Sequence, residues 1–356
     1  MLELLIDQTN LQNARIGEAP PPALAEGACR LRIELFSLTA NNITYAALGG
    51  GRLGYWDFFP GPPGWGKPPC WGFAAVAQSR AAGVAEGRRV YGYFPIAEML
   101  DVTPTRITPR GFVDGATHRA AKAGVYNLYL DTAHDPAYDA AFEREQTLWR
   151  PLYATGWWAA DCVLADGPRT VVMSSASAKT ALAMAHQLRR RGAGALIGLT
   201  SARNRGFVER SGLYHQVLSY EAIADLRVDA PTTFVDFLGR EEILQTVHRA
   251  LGERLARSIL IGAADWSGQS DPTAPARTDR SGPKPEFFFA PTYATQRLKA
   301  DATLNAALMQ DLRAFYPASR AFVTAIERAA GAEMLRSWEE LAQGAAPPQE
   351  GLVLRF

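Results

Sequence analysis

A short turn between residues 174 and 181 carries side chains suited to binding a phosphate group. The segment Ser174–Ala181 (SSASAKTA) lies between a β-branched run and a segment with helical periodicity. In this strand–turn–helix context, backbone amides at the helix start and the helix macrodipole bind the pyrophosphate of a dinucleotide. We expect the contacts to come from side chains and amides at Ser175, Ser177, Ala178, Lys179 and Thr180.

The glycines typical of such a turn are replaced. Ala176, Ala178 and Ala181 stand at the glycine spacing of the dinucleotide-binding fingerprint, and each is small enough for close backbone approach. A helix start made of small residues that only pack closely against their neighbours explains the same pattern. The turn alone therefore leaves both interpretations open.

A second polar group follows the next predicted strand. Ser201, Arg203 and Asn204 come about 20 residues after the turn, where an acidic residue binds the ribose hydroxyls of NAD in this type of sheet. No acidic residue is present there, and Arg203, with Arg205 nearby, offers positive charge for a ribose 2′-phosphate. A solvated polar turn has the same composition. Together the two turns favour NADP(H) as the cofactor.

The elements that must position these groups alternate between strands and helices. Such alternation is typical of a parallel sheet with crossover helices, so the middle of the chain is expected to be a doubly wound α/β domain. The predicted strands are Thr170–Met173, Ala195–Thr200, Gln216–Ser219, Thr232–Phe237 and Arg257–Gly262, and the predicted helices are Ala178–Arg191, Asn204–Ser211 and Arg240–Leu251.

Both ends of the chain follow other patterns. The first 135 residues are predicted to be β-rich, with strands at Arg30–Leu38, Phe73–Ala77 and Arg89–Tyr93. The tail is predicted to be mostly helical over Ala302–Gln343 and to end in a strand, Gly351–Phe356. Clusters of glycine, proline and polar residues predict exposed loops or linkers at Gly17–Pro22, Gly49–Pro69 and Ser267–Pro285.

Charge, cysteine content and hydropathy exclude several classes of protein. The 37 basic and 36 acidic residues give a net charge of +1, so no broad field attracts nucleic acid or an anionic membrane. Three cysteines are too few for a disulfide framework and suit a reducing compartment. No segment reaches the roughly 18 apolar residues of a membrane-spanning helix. We therefore expect a cytoplasmic protein whose partner is a small molecule.

Several weak motifs occur in a fixed order along the chain. They are Ala40–Gly50 (ANNITYAALGG), Pro69–Phe73 followed by Val84–Val90, Pro151–Ala160, Val171–Ala181, Phe234–Gly239 (FVDFLG) and Ile259–Ala263 (ILIGA). Their order resembles that of the medium-chain dehydrogenase/reductase superfamily, in its zinc-independent quinone/enoyl reductase branch. The chain departs from that pattern at the fingerprint glycines and at Gly87-Arg88, where the superfamily has Gly-Asp.

The resemblance implies an α/β fold with a GroES-like β-barrel domain and a Rossmann domain whose parallel sheet is doubly wound. Residues 1–140 would form the N-terminal part of the substrate domain, 141–285 the nucleotide-binding domain, and 286–356 the return to the substrate domain. Many members of the superfamily are dimers, so a homodimer is a further expectation.

The resemblance also implies roles for individual residues. Ala40–Gly50 is similar to an active-site loop, in which Tyr45 would donate a proton or a hydrogen bond to the substrate carbonyl. Asn42 would be the second polar group, with Asn41 in its place if the register shifts by one residue. Thr155 matches a position near the nicotinamide, and Gly262 belongs to a matched cofactor-binding strand. Tyr45 could equally be a wall residue whose hydroxyl is satisfied locally.

The implied reaction is the NADP(H)-dependent reduction of an activated carbon–carbon double bond in a quinone, enone or enoyl substrate. Aromatic residues in Gly49–Pro69 and Phe287–Tyr293 favour a large apolar or aromatic substrate, although loop packing or a dimer contact would use them as well. A non-catalytic or regulatory protein that binds nucleotide is one alternative, and a non-redox enzyme that reuses the fold is another.

A catalytic metal is not expected. A zinc site needs three protein ligands from cysteine, histidine and carboxylate side chains. In the zinc-dependent branch these ligands lie at positions matched here by Asn41–Thr44 and Phe73–Ala74. The three cysteines, Cys29, Cys70 and Cys162, lie elsewhere and are expected to pack as small apolar residues.

Overall fold

The structure, a computed structural model, describes residues 1–51, 53–167, 169–262 and 282–356 of the chain. The predicted loop at Ser267–Pro285 lies mostly outside these residues, as does Ala263. Two compact units are present, one formed by Met1–Pro151 with Met309–Phe356 and the other by Leu152–Leu308. The domain boundaries inferred from the sequence, 1–140, 141–285 and 286–356, stay predictions.

Helices and strands are numbered in chain order. The α-helices of the described residues are α1 (Ala40–Ala47), α2 (Glu143–Leu164), α3 (Lys179–Arg190), α4 (Ala202–Arg210), α5 (Glu241–Leu251), α6 (Ala290–Ala300), α7 (Thr303–Ser319) and α8 (Ala332–Ala342). The strands are β1 (Leu2–Asp7), β2 (Asn10–Glu18), β3 (Cys29–Leu38), β4 (Trp65–Gly66), β5 (Pro69–Ser79), β6 (Arg89–Pro95), β7 (Met99–Val102), β8 (Pro104–Thr108), β9 (Gly111–Asp114), β10 (Leu128–Asp131), β11 (Thr170–Met173), β12 (Leu196–Thr200), β13 (Gln216–Ser219), β14 (Thr232–Asp236), β15 (Leu255–Leu260), β16 (Glu286–Phe287), β17 (Thr324–Ala329) and β18 (Glu350–Arg355).

The first unit is built on a largely antiparallel sheet. Its strand order is β17-β18-β3-β5-β6-β10-β9-β8, with β7 also paired to β3, and a second small sheet has the order β2-β1-β4. In β5 and β6, Trp71 pairs with Tyr93 and Phe73 pairs with Tyr91. Because side chains alternate along a strand, these four aromatic residues share one face of the sheet.

The segment expected to be an active-site loop begins as a helix. Thr39 is the N-cap of α1, and its hydroxyl oxygen accepts a hydrogen bond from the Asn41 amide at 3.2 Å. The Asn42 side chain accepts from the Thr39 amide at 2.7 Å, which completes a capping box. Reciprocal caps of this kind satisfy the free amides at a helix start. The local sequence therefore favours a helix over Ala40–Ala47, and the loop expectation is corrected there.

The second unit contains a six-stranded parallel sheet. Its order is β13-β12-β11-β14-β15-β16, and every neighbouring pair is parallel. In chain order this is the 3-2-1-4-5-6 arrangement of a Rossmann sheet, with the order reversing between β11 and β14. Ligands bind such sheets outside the carboxyl ends of the strands at this reversal. The predicted doubly wound parallel sheet is confirmed.

Close packing between α2 and α3 requires a glycine. A Cβ atom at Gly156 in α2 would lie 2.7 Å from the Met184 backbone nitrogen and 3.1 Å from the Thr180 carbonyl oxygen in α3. These are backbone atoms that have no freedom to move aside within a helix. The absence of a side chain at Gly156 thus holds α2 directly against the first turns of α3.

The tail contains one strand that the sequence pattern did not predict. Between α7 and α8, β17 pairs in parallel with β18, from Thr324 opposite Glu350 to Ala329 opposite Arg355. The polar, half-exposed pattern of β17 (TAIERA) hides it among helical segments, since an edge strand need not alternate cleanly. The predicted final strand is present as β18. No helix among the described residues is both long and apolar enough to span a membrane.

Candidate functional site

The carboxyl ends of β11 and β14 are tied together where the strand order reverses. The Ser174 hydroxyl donates to Oδ1 of Asp236 at 2.5 Å and accepts from the Phe237 amide at 2.8 Å and the Leu238 amide at 3.1 Å. Both side chains are buried. This network fixes the first turn of the sheet relative to the loop after β14.

Asp236 is a residue of this site that the sequence analysis did not select. Its carboxyl group is 1 % exposed, and Oδ2 has no hydrogen-bond partner among the described residues. Burial raises the pKa of Asp236, while the hydrogen bonds from Ser174 and from the Gly239 and Leu238 amides oppose that rise. The sequence feature that could have identified Asp236 is its position in the FVDFLG motif, at the end of a predicted strand.

The left-handed residue of the first turn is Ser175. Its φ is 46°, a region in which residues with a Cβ are strained. Its amide donates to the Tyr220 hydroxyl at 2.9 Å, so a side chain that follows β13 holds the turn. The fingerprint spacing predicts that the missing glycines are replaced at Ala176, Ala178 and Ala181. The backbone instead needs conformational freedom one residue earlier, at Ser175.

We expect Ser175→Gly to stabilise the fold by up to about 1 kcal/mol, because glycine removes the left-handed strain and loses only part of that gain to chain entropy. Urea unfolding of the purified protein measures the change. Ser177→Gly is the matched control, since Ser177 lies in the same turn outside the positive-φ region and should lose stability. A destabilised Ser175→Gly variant would contradict the strain assigned to this turn.

Helix α3 begins without a side-chain cap. Its N-cap residue is Ala178, no acidic residue lies in its first turn, and Lys179 and Thr180 are its first two residues, both half-buried. Uncapped amides and the positive end of the helix dipole face the same edge of the sheet as the turn. The predicted contact residues of this turn are therefore brought to one place.

The alanines at the fingerprint spacing have a packing role as well. Ala176 and Ala181 are fully buried. A Cβ at Gly198 in β12 would lie 2.9 Å from the Cβ of Ala176, so that glycine and alanine are matched in size. The turn thus combines two roles. Ala176 and Ala181 pack in the core, while Ala178 precedes the helix start that a ligand would approach.

The second predicted group meets the first. The Asn204 amide donates to the Ser177 hydroxyl at 3.1 Å, and the Thr200 hydroxyl donates to the same oxygen at 3.4 Å. Ser201 is the N-cap of α4, whose first turn also contains no acidic residue. Arg203 lies in that turn and is exposed. Arg205, two residues further on, forms an ion pair with Glu209 at 2.8 Å.

Two further predicted contacts lie in the same unit. Thr155 precedes Gly156 in α2, the residue that touches the start of α3, and is half-buried. Gly262 follows β15 with φ of 64°, which places it at the carboxyl end of the sheet. Both positions accord with the predicted roles, which stay predictions.

The candidate proton donor lies in the first unit, within an aromatic cluster. Tyr45 is 6 % exposed, its ring lies 4.6 Å from that of Tyr55 and 5.6 Å from that of Tyr93, and its oxygen accepts a hydrogen bond from Nε1 of Trp71 at 3.2 Å. Burial raises the pKa of Tyr45, and the Trp71 hydrogen bond opposes part of that rise. The phenol therefore stays protonated at neutral pH.

The asparagines beside Tyr45 have different environments. Asn42 is buried, and besides the cap its Nδ2 donates to the Pro69 carbonyl at 2.8 Å, which joins α1 to the start of β5. Its amide is thus engaged with the backbone, and a substrate contact for it stays a prediction. Asn41 is half-buried, and its side chain favours the ionised form of Tyr45.

The two aromatic segments predicted to line the substrate site form short regular elements. Gly49–Pro69 contains a short 3₁₀ turn at Tyr55–Asp57 and strand β4, and Phe58 stacks on Tyr55 with ring centroids 6.0 Å apart. Phe287–Tyr293 forms the end of β16 and the start of α6, where the rings of Phe288 and Tyr293 lie 5.3 Å apart. Among the described residues, no group of three or more histidine, cysteine or acidic side chains could hold a metal ion.

A known protein family matches most of the chain. A family model described as "Protein of unknown function (DUF2855)" matches residues 36–347, which is most of the chain. The chain belongs to this family. No curated protein sequence matches it.

Solved structures establish the fold. The yhdH oxidoreductase from Salmonella enterica, in complex with NADP, is 17% identical, with 100% of each chain covered and a TM-score of 0.58. CurA from Vibrio vulnificus, in complex with NADPH, is 12% identical over 100% of this chain and 99% of that one, with a TM-score of 0.62. The mycobacterial protein Rv1454c, complexed with NADPH, is 14% identical over both full lengths, with a TM-score of 0.61.

These neighbours have the architecture that the resemblance implied. The expected mixed α/β fold, with a GroES-like domain and a Rossmann domain, is confirmed. At these identities the similarity establishes the fold, and the activity has to be argued from the residues of the chain itself.

Proposed function

We propose that the protein is an NADP(H)-dependent, zinc-independent reductase of an activated carbon–carbon double bond. The observation that carries the proposal is the pair of helix starts at the carboxyl end of the parallel sheet. Neither α3 nor α4 has a side-chain cap or an acidic residue in its first turn, and the two are joined through Ser177 and Asn204. Such a site is built for anions.

The residues present fit a phosphate-bearing dinucleotide. Amides of Lys179 and Thr180 at the start of α3 suit a pyrophosphate, with Ser175, Ser177 and Ala178 in the turn before them. Ser201, Arg203 and Asn204 suit the 2′-phosphate, because a guanidinium and neutral donors bind it where a carboxylate would repel it. Thr155 and Gly262 complete the proposed set. NADP-bound structural neighbours with the same fold support this choice.

The proposed chemistry requires few protein groups. When bound, the cofactor supplies a hydride to the β-carbon of an enone, quinone or enoyl substrate. Tyr45 would donate a hydrogen bond, and then its proton, to the oxygen that becomes negative in the transition state. A phenol with a raised pKa is fully protonated at neutral pH and suits that role. Asn42 is the second candidate for a hydrogen bond to the substrate. Its side chain also joins α1 to β5 through the Pro69 carbonyl.

The proposed substrate class is large and apolar or aromatic. Trp71 is half-buried beside Tyr45, in a cluster of the aromatic rings of Tyr45, Tyr55, Phe58, Trp71, Tyr91, Tyr93 and Tyr126. The other rings of the cluster are buried, so a flat apolar substrate would pack against the half-buried Trp71 while the Tyr45 phenol holds its carbonyl.

A binding titration tests the cofactor assignment. The chain contains eight tryptophans, so its intrinsic fluorescence reports a bound reduced nicotinamide through quenching and energy transfer. We expect saturable NADPH binding and weaker NADH binding. Absence of NADPH binding at millimolar concentration would overturn the proposal.

A turnover assay then separates a reductase from a nucleotide-binding protein without activity. Loss of NADPH absorbance is followed with menadione and cinnamaldehyde, a quinone and an enal that represent the proposed substrate class. Consumption of NADPH that depends on the protein supports the reductase. Tight NADPH binding without turnover on any quinone, enone or enoyl thioester would favour the non-catalytic alternative.

A further inference from the structure

The phenol oxygen of Tyr45 takes part in a hydrogen bond with Trp71 whose direction is fixed by chemistry. Nε1 of Trp71 donates to the Tyr45 oxygen at 3.2 Å. An indole nitrogen only donates, so the phenol oxygen must accept in this pair. The Tyr45 hydroxyl proton is therefore directed away from Trp71. The side chains of Asn41 and Tyr93 also lie close to the phenol oxygen and, like Trp71, favour its ionised form.

The indole of Trp71 is held in place on several sides. Its ring stacks on Tyr91 with centroids 5.9 Å apart and an interplanar angle of 17°, and lies 4.8 Å from Tyr93 and 5.9 Å from Tyr126. The Arg150 guanidinium lies 4.4 Å from the Tyr91 ring centroid, over that ring. These contacts hold the Trp71 indole, and with it the Nε1 donor, in place beside Tyr45.

The backbone that carries the two side chains is also coupled. Tyr45 lies in α1 and Trp71 in β5, and the Asn42 amide bonded to the Pro69 carbonyl joins these elements. Two residues beyond Pro69, the strand presents Trp71 towards Tyr45. Position and direction of the phenol are therefore set by neighbours whose own positions are fixed.

We infer that Trp71 is the positioning residue for Tyr45: by occupying a lone pair of the phenol oxygen, it makes Tyr45 a donor towards a substrate carbonyl. The inference rests on the proposed function for its catalytic meaning. The Trp71 N–H also stabilises the phenolate left after proton transfer, since it donates to the same oxygen in both states. No bond to Trp71 forms or breaks. The proton passes from Tyr45 to the substrate and is replaced from solvent.

A double-mutant cycle on NADPH oxidation tests this role, with menadione and cinnamaldehyde as acceptors. Trp71→Phe keeps an aromatic ring and removes the N–H donor. We expect about a 10-fold lower kcat with an unchanged KM for NADPH, the size of one lost hydrogen bond to a developing charge. In the Tyr45→Phe background the same change should have no further effect. Independent, multiplying effects would overturn the inference.

A matched control separates positioning from loss of stability. Trp338→Phe removes another indole donor of the same unit, one that binds the Leu11 carbonyl at 2.8 Å. It should lower the melting temperature and leave kcat unchanged. If Trp71→Phe does not fold, benzothienylalanine at position 71 keeps the indole shape and lacks only the N–H. Full activity of that variant would overturn the inference.

A spectroscopic readout tests the inference even if the proposed reaction fails. Difluorotyrosine at position 45 has a lower phenol pKa, so its ionisation can be followed by fluorine NMR. Removal of the Trp71 N–H should raise that pKa by about one unit, because the phenolate loses its donor. An unchanged pKa would exclude the contact. Absence of turnover in the unmodified protein contradicts the proposed function and leaves this readout intact.

Discussion

Replacing Tyr45 by phenylalanine is expected to lower kcat about 100-fold, the lower end of what a positioned proton donor contributes. The substitution removes one oxygen atom from a side chain that is 6 % exposed, while the ring contacts to Tyr55 and Tyr93 are kept. The effect should appear in kcat with menadione or cinnamaldehyde. The NADPH dissociation constant, measured by fluorescence, should stay the same.

The pH dependence of kcat provides a second test of Tyr45. Burial raises its pKa above the ordinary value of about 10, so it remains protonated up to and beyond that pH. Its ionisation therefore produces no decline of kcat with rising pH between neutrality and pH ~10. A tyrosine raised in this way favours the folded state fully below pH ~10, and that stability is lost only as the pH rises towards the folded pKa.

A second buried tyrosine provides the control. Tyr129 lies in the same unit, and its hydroxyl donates to the Tyr93 carbonyl at 3.0 Å. Tyr129→Phe should reduce stability by about 1 kcal/mol and leave kcat unchanged. If Tyr45→Phe behaves like Tyr129→Phe, losing stability and keeping its turnover, Tyr45 is a wall residue.

Arg203→Ala is expected to weaken NADPH binding by about 10- to 100-fold, which corresponds to the loss of a charge-assisted contact to a phosphate. Arg203 is exposed in the first turn of α4, beside the Asn204 amide that reaches Ser177. Binding of NADH, which lacks the 2′-phosphate, should change by less than about 2-fold. Fluorescence titration with the two nucleotides measures both constants.

Arg205 is the matched control for this prediction. It lies two residues further along α4 and is paired with Glu209 at 2.8 Å, with both side chains about half exposed. Arg205→Ala removes the same charge from the same helix and should weaken NADPH binding by no more than about 2-fold at physiological salt. Equal losses for NADPH and NADH in Arg203→Ala would exclude a role in binding the 2′-phosphate.

The sequence determined those features whose causes are local. Apolar runs and helical periodicity predicted β11 to β15 and α3 to α5 to within a few residues. Both patterns depend only on residues that are close together in the sequence. The alternation itself predicted a parallel, doubly wound sheet. The absence of an acidic residue around Ser201–Asn204 was readable for the same reason, and it directs the cofactor proposal.

The tertiary structure decided how distant residues meet. The Ser174–Asp236 bond, the Asn204–Ser177 bond and the Trp71–Tyr45 bond each join residues that are far apart in the chain. Their partners depend on strand order and register, which single-sequence patterns do not encode. The left-handed conformation of Ser175 was also decided by the tertiary structure. Local preference alone would place a glycine at a positive φ, and here the surrounding turn imposes that conformation on a serine.

The motif over Ala40–Gly50 shows both contributions. Its residues were selected from the sequence as candidates for catalysis, and a capping box that is visible in the same residues explains why it folds as a helix. The environment of Tyr45 came from elsewhere: Trp71 and Tyr93 lie on neighbouring strands, and their register supplies its donor and its ring contacts. Residue types therefore suggested the chemistry, while packing across the sheet brought the Trp71 donor to the Tyr45 oxygen, because a hydrogen bond requires two groups placed within a few ångströms of each other.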